Sequence, residues 1–230
     1  MSLATIVEIE ALVGTKIKNL ELYTSSFTHR SYLNEHRSFP LPHNERLEFL
    51  GDAVLELIAT EHLYKNYPYS EGELTNFRSA LVNYKMLAEI AKRLGLEKFL
   101  LMSRGEAKDT GRARQVILAN AIEAFIGAIY LDLGYEATAH FIEQQVLVEL
   151  PQIISTGQYM DPKSKLQEMV QDKNGVTPTY GVISESGPDH AKAFVVAVYI
   201  NQTEIGRGTG PSKQEAEVSA AEEALRSMRF

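Results

Sequence analysis

The chain has 230 residues, 44% of them hydrophobic, which is enough for one large domain or two small ones with buried cores. It contains no Cys, which excludes disulfides and thiolate chemistry, and it shows neither a signal segment nor an apolar run of about 18 residues. We therefore expect a cytoplasmic protein with no membrane partner. The net charge of −7 argues against binding of nucleic acid through overall electrostatic attraction. Residues 160–230 also contain more acidic than basic residues, ten Asp and Glu and eight Lys and Arg.

The first 150 residues predict an all-helical region, because apolar residues recur at helical spacing and no strand-like alternation occurs. Ser70 and Glu73 have the spacing of a capping box, which marks a helix start. The polar stretch 33–43 contains two prolines and predicts a loop, and we expect His29, just before it, to be a structural histidine. The predicted helices cover residues 2–13, 19–27, 44–66, 70–94, 115–132 and 136–150.

A stripe of acidic residues marks the helix predicted over 44–66. Glu45, Glu48 and Asp52 are spaced i, i+3 and i+7, so they follow one helix face for about two turns. Like charges stacked in this way destabilise a helix by about a few tenths of a kcal/mol per pair. A hard divalent cation with oxygen ligands would offset that repulsion. The spacing alone leaves two interpretations open, a metal site or a solvated helix face.

The helix predicted over 115–132 is apolar on every side, as is typical of a central helix. Asn120 and Glu123 lie inside it at i and i+3, so they share a face. A carboxylate among apolar residues is costly unless it is paired or binds a metal. The sequence therefore favours a functional role for Glu123.

A basic segment precedes that helix. Residues 103–114 contain Arg104, Lys108, Arg112 and Arg114, include two glycines and lack apolar periodicity. They predict a mobile loop whose charges are either solvated or in contact with phosphate.

The sequence changes character after residue 150. Residues 151–160 contain Pro, Gly, Ser and Thr and predict a linker. Beyond it, alternating apolar residues predict strands between two helices. The predicted elements are a helix over 163–173, strands over 177–185, 193–200 and 203–208, and a helix over 212–228.

Residues 44–55 resemble the signature of the ribonuclease III family. In this sequence they are Asn-Glu-Arg-Leu-Glu-Phe-Leu-Gly-Asp-Ala-Val-Leu. The α-β-β-β-α order that follows, with Gly206-Arg207-Gly208-Thr209-Gly210-Pro211-Ser212-Lys213 before the last helix, resembles a double-stranded RNA-binding domain. The two resemblances cover nearly the whole chain in the order found in bacterial ribonuclease III. They imply a multidomain protein with an all-α endonuclease domain over 1–150, a linker over 151–160 and an α+β double-stranded RNA-binding domain over 161–230.

The resemblance also implies an activity. Members of the family are homodimeric endoribonucleases that hydrolyse phosphodiester bonds of double-stranded RNA with Mg²⁺, which Mn²⁺ can replace. A metal-activated water attacks, each subunit cuts one strand, and short 3′ overhangs remain. Precursors of ribosomal RNA are the substrates that the family suggests, followed by messenger and transfer RNA precursors.

Roles in the active site are implied residue by residue. They are the metal ligands Glu48, Asn120 and Glu123, the catalytic residues Asp52 and Glu123, and the additional acidic residues Glu45 and Glu71. Carboxylates suit this chemistry because they hold a metal while leaving positions for water and phosphate.

Asn120 departs from the family pattern, which has Asp at this position. An amide oxygen can ligate Mg²⁺ but carries no charge, so we expect a working nuclease with weakened metal affinity. The rival interpretation is a double-stranded RNA-binding protein that Asn120 has disabled for cleavage. A carboxylate-bridged di-iron protein is disfavoured, because neither Glu48 nor Glu123 has a His three residues later.

RNA-binding roles follow from the second resemblance. Gln167 and Glu168 on the first helix match residues that reach 2′-hydroxyls, and His190 in the strand turn matches a second minor-groove contact. Lys213 matches a phosphate-binding Lys at the start of the last helix. Gln214 stands where a second Lys is common, so we expect weak and strongly salt-sensitive binding by this domain alone.

Overall fold

A computed structural model of the chain describes residues 3–157, 159, 161–188 and 192–228. The chain divides into two compact units, Met1–Tyr159 and Met160–Phe230, called here the first and the second unit. Within the described residues, the first unit is helical and the second contains two helices and a three-stranded antiparallel sheet. The predicted fold class, all-α followed by α-β-β-β-α, is confirmed.

Helices account for most of the first unit. Short 3₁₀ segments occur at Leu96–Phe99, Glu106–Lys108 and Leu147–Glu149. The α-helices are α1 Leu3–Val13, α2 Leu20–Ser26, α3 Arg30–Glu35, α4 Glu45–Asn66, α5 Glu71–Val82, α6 Tyr84–Arg93, α7 Arg112–Leu133, α8 Tyr135–Gln145 and α9 Leu150–Thr156.

The core of the first unit is built around α7, which packs against α2, α4, α6 and α8. Leu118, Ile122, Phe125 and Ile129 are fully buried along it. Among the described helices, α7 alone is long and apolar enough to cross a membrane by length and composition, and 61% of its most apolar window is buried inside the protein. Burial of this kind is what the central helix of a helical domain requires.

Asn83 divides the helix predicted over 70–94 into α5 and α6, so the prediction of one continuous helix is wrong. Its backbone is extended, with φ −71° and ψ 155°, and its side-chain oxygen accepts hydrogen bonds from the amides of Lys85 and Met86 at 3.1 Å each. Asn is a strong N-cap residue, and here the cap begins a new helix in the middle of an apolar pattern. The capping box at Ser70 and Glu73 is present as predicted.

The loop predicted over residues 33–43 starts too early, because residues 33–35 are the last residues of α3. His29 is the N-cap of α3, and its Nδ1 accepts a hydrogen bond from the Ser31 amide at 3.4 Å. Burial lowers the pKa of this histidine. The prediction that His29 is structural agrees with this role.

The basic segment 103–114 contains more structure than predicted. Its end is the first turn of α7, and Arg114 Nε lies 3.1 Å from a carboxylate oxygen of Glu97. Because the two glycines and the lack of apolar periodicity hid this helix start, the prediction of an irregular segment is wrong from Arg112 onwards.

Part of the predicted linker belongs to the core of the first unit. Residues 151–156 continue α9, in which Leu150 and Ile153 are buried. Pro151 lies at the start of this helix, where its missing N–H is not required. Pro151, which follows the helix predicted over 136–150, therefore lies at the start of a further helix.

The second unit consists of α10 Pro162–Asn174, β1 Thr179–Ser186, β2 Ala193–Ile200, β3 Thr203–Gly210 and α11 Lys213–Ser227. The strands lie in the order β1-β2-β3, and α11 packs on β2, β3 and α10. Ala216, Ala220 and Ala224 are fully buried in α11. At Gly208 an added Cβ would lie 2.1 Å from the Ala220 nitrogen, so the glycine allows β3 to touch the helix backbone.

Candidate active site and RNA-binding surface

The α4 and α7 helices cross in main-chain contact. A Cβ added to Gly51 of α4 would lie 1.8 Å from the Glu123 carbonyl oxygen, and one added to Gly127 of α7 would lie 2.3 Å from the Leu47 carbonyl oxygen. Side chains larger than hydrogen would push the helices apart at both places. The crossing brings the acidic face of α4 against the polar face of α7.

Three carboxylates gather at this crossing and form the carboxylate cluster, Glu48, Asp52 and Glu123. Burial, followed by the charges of Asp52 and Glu48, raises the pKa of Glu123 to about 8. Burial and the charges of Glu45 and Asp52 also raise the pKa of Glu48. The Asn120 amide opposes that shift through a hydrogen bond to Glu48. The cluster therefore concentrates negative charge at a partly dry position.

The chemistry of this cluster fits a divalent cation. Among the described residues, none of the three carboxylates forms an ion pair with Lys, Arg or His. Oxygen ligands with uncompensated charge are what Mg²⁺ and Mn²⁺ select. In the described part of the chain, no three His, Cys, Asp or Glu side chains are arranged to hold a metal by themselves. Among the described residues, the three carboxylates are therefore close enough to shift one another's pKa but do not surround one metal position by themselves, and the predicted ligand set adds the Asn120 amide to Glu48 and Glu123.

Glu45, although on the same stripe, has basic side chains as neighbours. Its carboxylate lies 3.5 Å from Arg30 Nη1 and 3.8 Å from His43 Nδ1. Arg30 and His43 are not among the predicted site residues, because neither is at helical spacing from the acidic stripe. The partners place Glu45 at the margin of the carboxylate cluster.

Glu71 lies elsewhere in the first unit. It is the first residue of α5 and lines a groove of about 550 Å³ with Tyr64, Tyr67, Tyr69 and Arg78. This groove is at the far end of α4, roughly 18 Å along the helix axis from Asp52 at 1.5 Å per residue. Within a single chain, the structure does not bring Glu71 to the predicted site.

The second unit presents three of the four predicted RNA-binding residues on its surface. Gln167 and Glu168 are exposed on α10, and Lys213 is exposed at the first position of α11. The Lys213 ammonium lies 5.8 Å from the centre of the Phe194 ring. The prediction for His190 lies outside the described residues.

Comparison with known proteins agrees with both units. Residues 19–150 match the family model for ribonuclease-III-like domains, and residues 162–228 match the double-stranded RNA binding motif. Ribonuclease 3 of Streptococcus uberis is 46% identical over 228 residues, which span 96% of this chain and 97% of the relative. The chain belongs to the ribonuclease III family. Ribonuclease 3 of Geobacillus kaustophilus is similarly 43% identical over 96% of this chain and 90% of its own length.

A solved structure supports the assignment for the first unit. The nuclease domain of ribonuclease III from Campylobacter jejuni, studied for flexibility in a region involved in dimer formation, superposes with a TM-score of 0.56. It is 38% identical and covers 64% of this chain and 99% of its own. Family membership confirms the predicted enzyme class, an endoribonuclease for double-stranded RNA, and the RNA-binding role of the second unit.

Proposed function

We propose that this ribonuclease III family member hydrolyses the phosphodiester bonds of double-stranded RNA with a divalent metal, Mg²⁺ or in its place Mn²⁺. The observation that carries the proposal is the meeting of Glu48, Asp52 and Glu123 at a main-chain crossing, with no ion pair to a basic side chain among the described residues. A bound divalent metal would supply an activated water and offset charge on the phosphate in the transition state.

Each residue has a distinct part in this proposal. Glu48 and Glu123 would hold the metal through charged oxygens, and Asn120 would add a neutral amide oxygen on the same face. Asp52, which is exposed one turn beyond Glu48, orients the attacking water and accepts its proton. The hydrogen bond from Asn120 would orient the Glu48 carboxylate for this role.

We propose a homodimer as the active form, supported by an apolar stripe on the outer face of α4. Phe49, Leu57 and Tyr64 form this stripe and are 81%, 58% and 80% exposed. Large apolar residues contiguous on one helix face mark an interaction surface. The study of a dimer-forming region in the Campylobacter jejuni nuclease domain points the same way.

Two-fold symmetry explains how the stripe could cover itself. If two α4 helices pack antiparallel about an axis near Leu57, Phe49 of one copy faces the groove beside Tyr64 of the other. That groove is apolar enough to receive a phenyl ring. The same arrangement carries Glu71 of the second copy towards the Glu45 end of α4, which would return Glu71 to the predicted acidic site.

The offset of the two cuts follows from a symmetric pair of sites. Two copies of the carboxylate cluster, one for each strand of a duplex, would cut the strands at offset positions and leave short 3′ overhangs. We propose precursors of ribosomal, messenger and transfer RNA as the cytoplasmic substrates.

Cleavage of a labelled RNA duplex tests the proposal. We expect cutting with Mg²⁺ and with Mn²⁺, no cutting with chelator, and no cutting of a single-stranded control. Glu123→Gln should lose at least about a hundredfold in rate, since it removes a charged oxygen at the reacting centre. Binding of the duplex without cleavage in either metal would instead support the disabled, RNA-binding alternative and identify Asn120 as the residue to revert.

A further inference from the structure

One acidic side chain of the second unit lies among lysines at the edge where RNA phosphate is expected. The Glu185 carboxylate near the end of β1 is 2.8 Å from Lys192 Nζ. Glu185 is also directly opposite Phe194 in the β1–β2 register, so the two side chains share one face of the sheet. Because the Lys213 ammonium lies over the Phe194 ring, Glu185 and Lys213 have a neighbour in common.

The charges of Glu185, Lys192 and Lys213 also interact. The hydrogen bond with Lys192, and then the charges of Lys192 and Lys213, lower the pKa of Glu185. The carboxylate is therefore ionised at neutral pH and attracts both ammonium groups. Lys213 also occupies the first position of α11, where backbone amides favour an anion.

RNA phosphate and the Glu185 carboxylate would bind the same cations. Binding of a duplex at Lys213 or Lys192 would place a phosphate close to an ionised carboxylate, and the two anions would repel each other. The exposed ion pair would have to be exchanged for a phosphate contact. The lysines would then contribute less to affinity than their number suggests.

We propose that Glu185 limits the affinity of this protein for double-stranded RNA by competing with phosphate for Lys192 and Lys213. The inference rests on the proposed phosphate contact of Lys213. It identifies an affinity-determining residue that makes no favourable contact with RNA itself.

Fluorescence anisotropy with the full-length chain and a labelled RNA duplex of about 20 base pairs provides the test. Chelator prevents cleavage, and the dissociation constant is measured across a range of salt concentrations. Glu185→Gln should bind about three- to tenfold more tightly at low salt. The plot of log affinity against log salt should steepen by about one, as expected for one additional phosphate contact.

Glu204→Gln is the matched control. Glu204 also pairs with a basic side chain, Arg207, at 3.0 Å, but it lies at the other end of the sheet. It is opposite Tyr199 of β2, five residues from Phe194, or roughly 17 Å along the strand. That distance exceeds the screening length of about 8 Å at physiological salt, so this variant should bind as the unaltered chain does.

Different outcomes test the competition by Glu185 and the phosphate contact of Lys213. Unchanged or weaker binding by Glu185→Gln, or an equal gain in Glu204→Gln, would overturn the competition. Lys213→Gln tests the phosphate contact separately and should weaken binding. In the Glu185→Gln, Lys213→Gln double variant the gain should be smaller than in Glu185→Gln alone, because Lys213 can no longer contact phosphate.

Discussion

Glu123 connects the folding of the first unit with its chemistry. Burial of its side chain, followed by the charges of two nearby acidic side chains, raises its pKa to about 8. The ionised form that a metal ligand requires is therefore the form that the metal-free protein disfavours. Folding stability and metal binding should for this reason be coupled through this residue.

The pH dependence of stability should report this coupling. The unfolded chain releases the Glu123 proton near pH 4.5 and the folded chain near pH 8, so between these values the folded state binds more protons and stability falls as pH rises. We expect the melting temperature of Glu123→Gln, relative to the unaltered chain in chelator, to increase between pH 5 and pH 8 and then level off. A constant difference across this range would contradict the raised pKa.

Asn120 should set the strength of metal binding. Asn120→Asp adds a negative charge beside Glu48, and we expect about tenfold tighter binding of Mg²⁺ and Mn²⁺ by calorimetric titration, which does not depend on catalysis. Asn120→Ala is the control, since it removes the hydrogen bond to Glu48 without adding charge and should not tighten binding. Equal affinity in the unaltered chain and Asn120→Asp would show that the missing charge is not limiting.

Much of the candidate site could be anticipated at the residue scale. Glu48, Asp52 and Glu123 stood out because carboxylates at helical spacing adjoined apolar residues. The neighbours of Glu45 could not be anticipated, because Arg30 and His43 reach it through the tertiary fold. The distance of Glu71 from the cluster depends on the packing of α5 against α4, which a linear pattern does not contain.

At the scale of elements, local rules succeeded where a capping residue coincides with a break in the apolar pattern. The capping box at Ser70 begins α5 where the sequence predicted a helix start. Left-handed glycines follow α6 and α10 where the sequence predicted helix ends. Local rules failed at Asn83, where one side chain restarts a helix, and at α9, which is held by burial of Ile153. A cap inside a continuous apolar pattern, and a helix held by packing, both leave a weak sequence signal.

The crossing of α4 and α7 should be intolerant of any side chain. Gly51→Ala would gain up to about 1 kcal/mol of helix propensity, but its methyl group would meet the Glu123 carbonyl. We expect a net loss of about 3 kcal/mol or more in the free energy of unfolding, measured by urea denaturation. Gly72→Ala in α5 is the control, because nothing lies within 4 Å of the added Cβ, and it should be neutral or stabilising.

On the scale of the whole molecule, an acidic protein that handles RNA must concentrate positive charge locally. The net charge is −7, and two lysines of the second unit, Lys163 and Lys192, form ion pairs with Glu217 and Glu185. A metal at the carboxylate cluster would add positive charge where the scissile phosphate is expected. Dimerisation would double both contributions along one duplex.

The proposed dimer makes a prediction for Phe49. Phe49→Glu places a charge on the apolar stripe, and we expect the dimer dissociation constant to rise at least about tenfold in analytical ultracentrifugation. Duplex cleavage at low enzyme concentration should fall in parallel. Val148→Glu is the matched control, because Val148 is 52% exposed but lies outside α4. If both variants remain dimeric, the stripe is not the interface.

The main-chain contact at Gly51 and Gly127 also bears on how this nuclease can change over evolution. Because the spacing of α4 and α7 is set by backbone atoms, core side chains such as Phe125 and Ile129 can drift without moving the carboxylates apart. Sequence divergence and engineered stabilisation can then proceed through most of the interior. The two glycines are the positions that any redesign of the enzyme must keep.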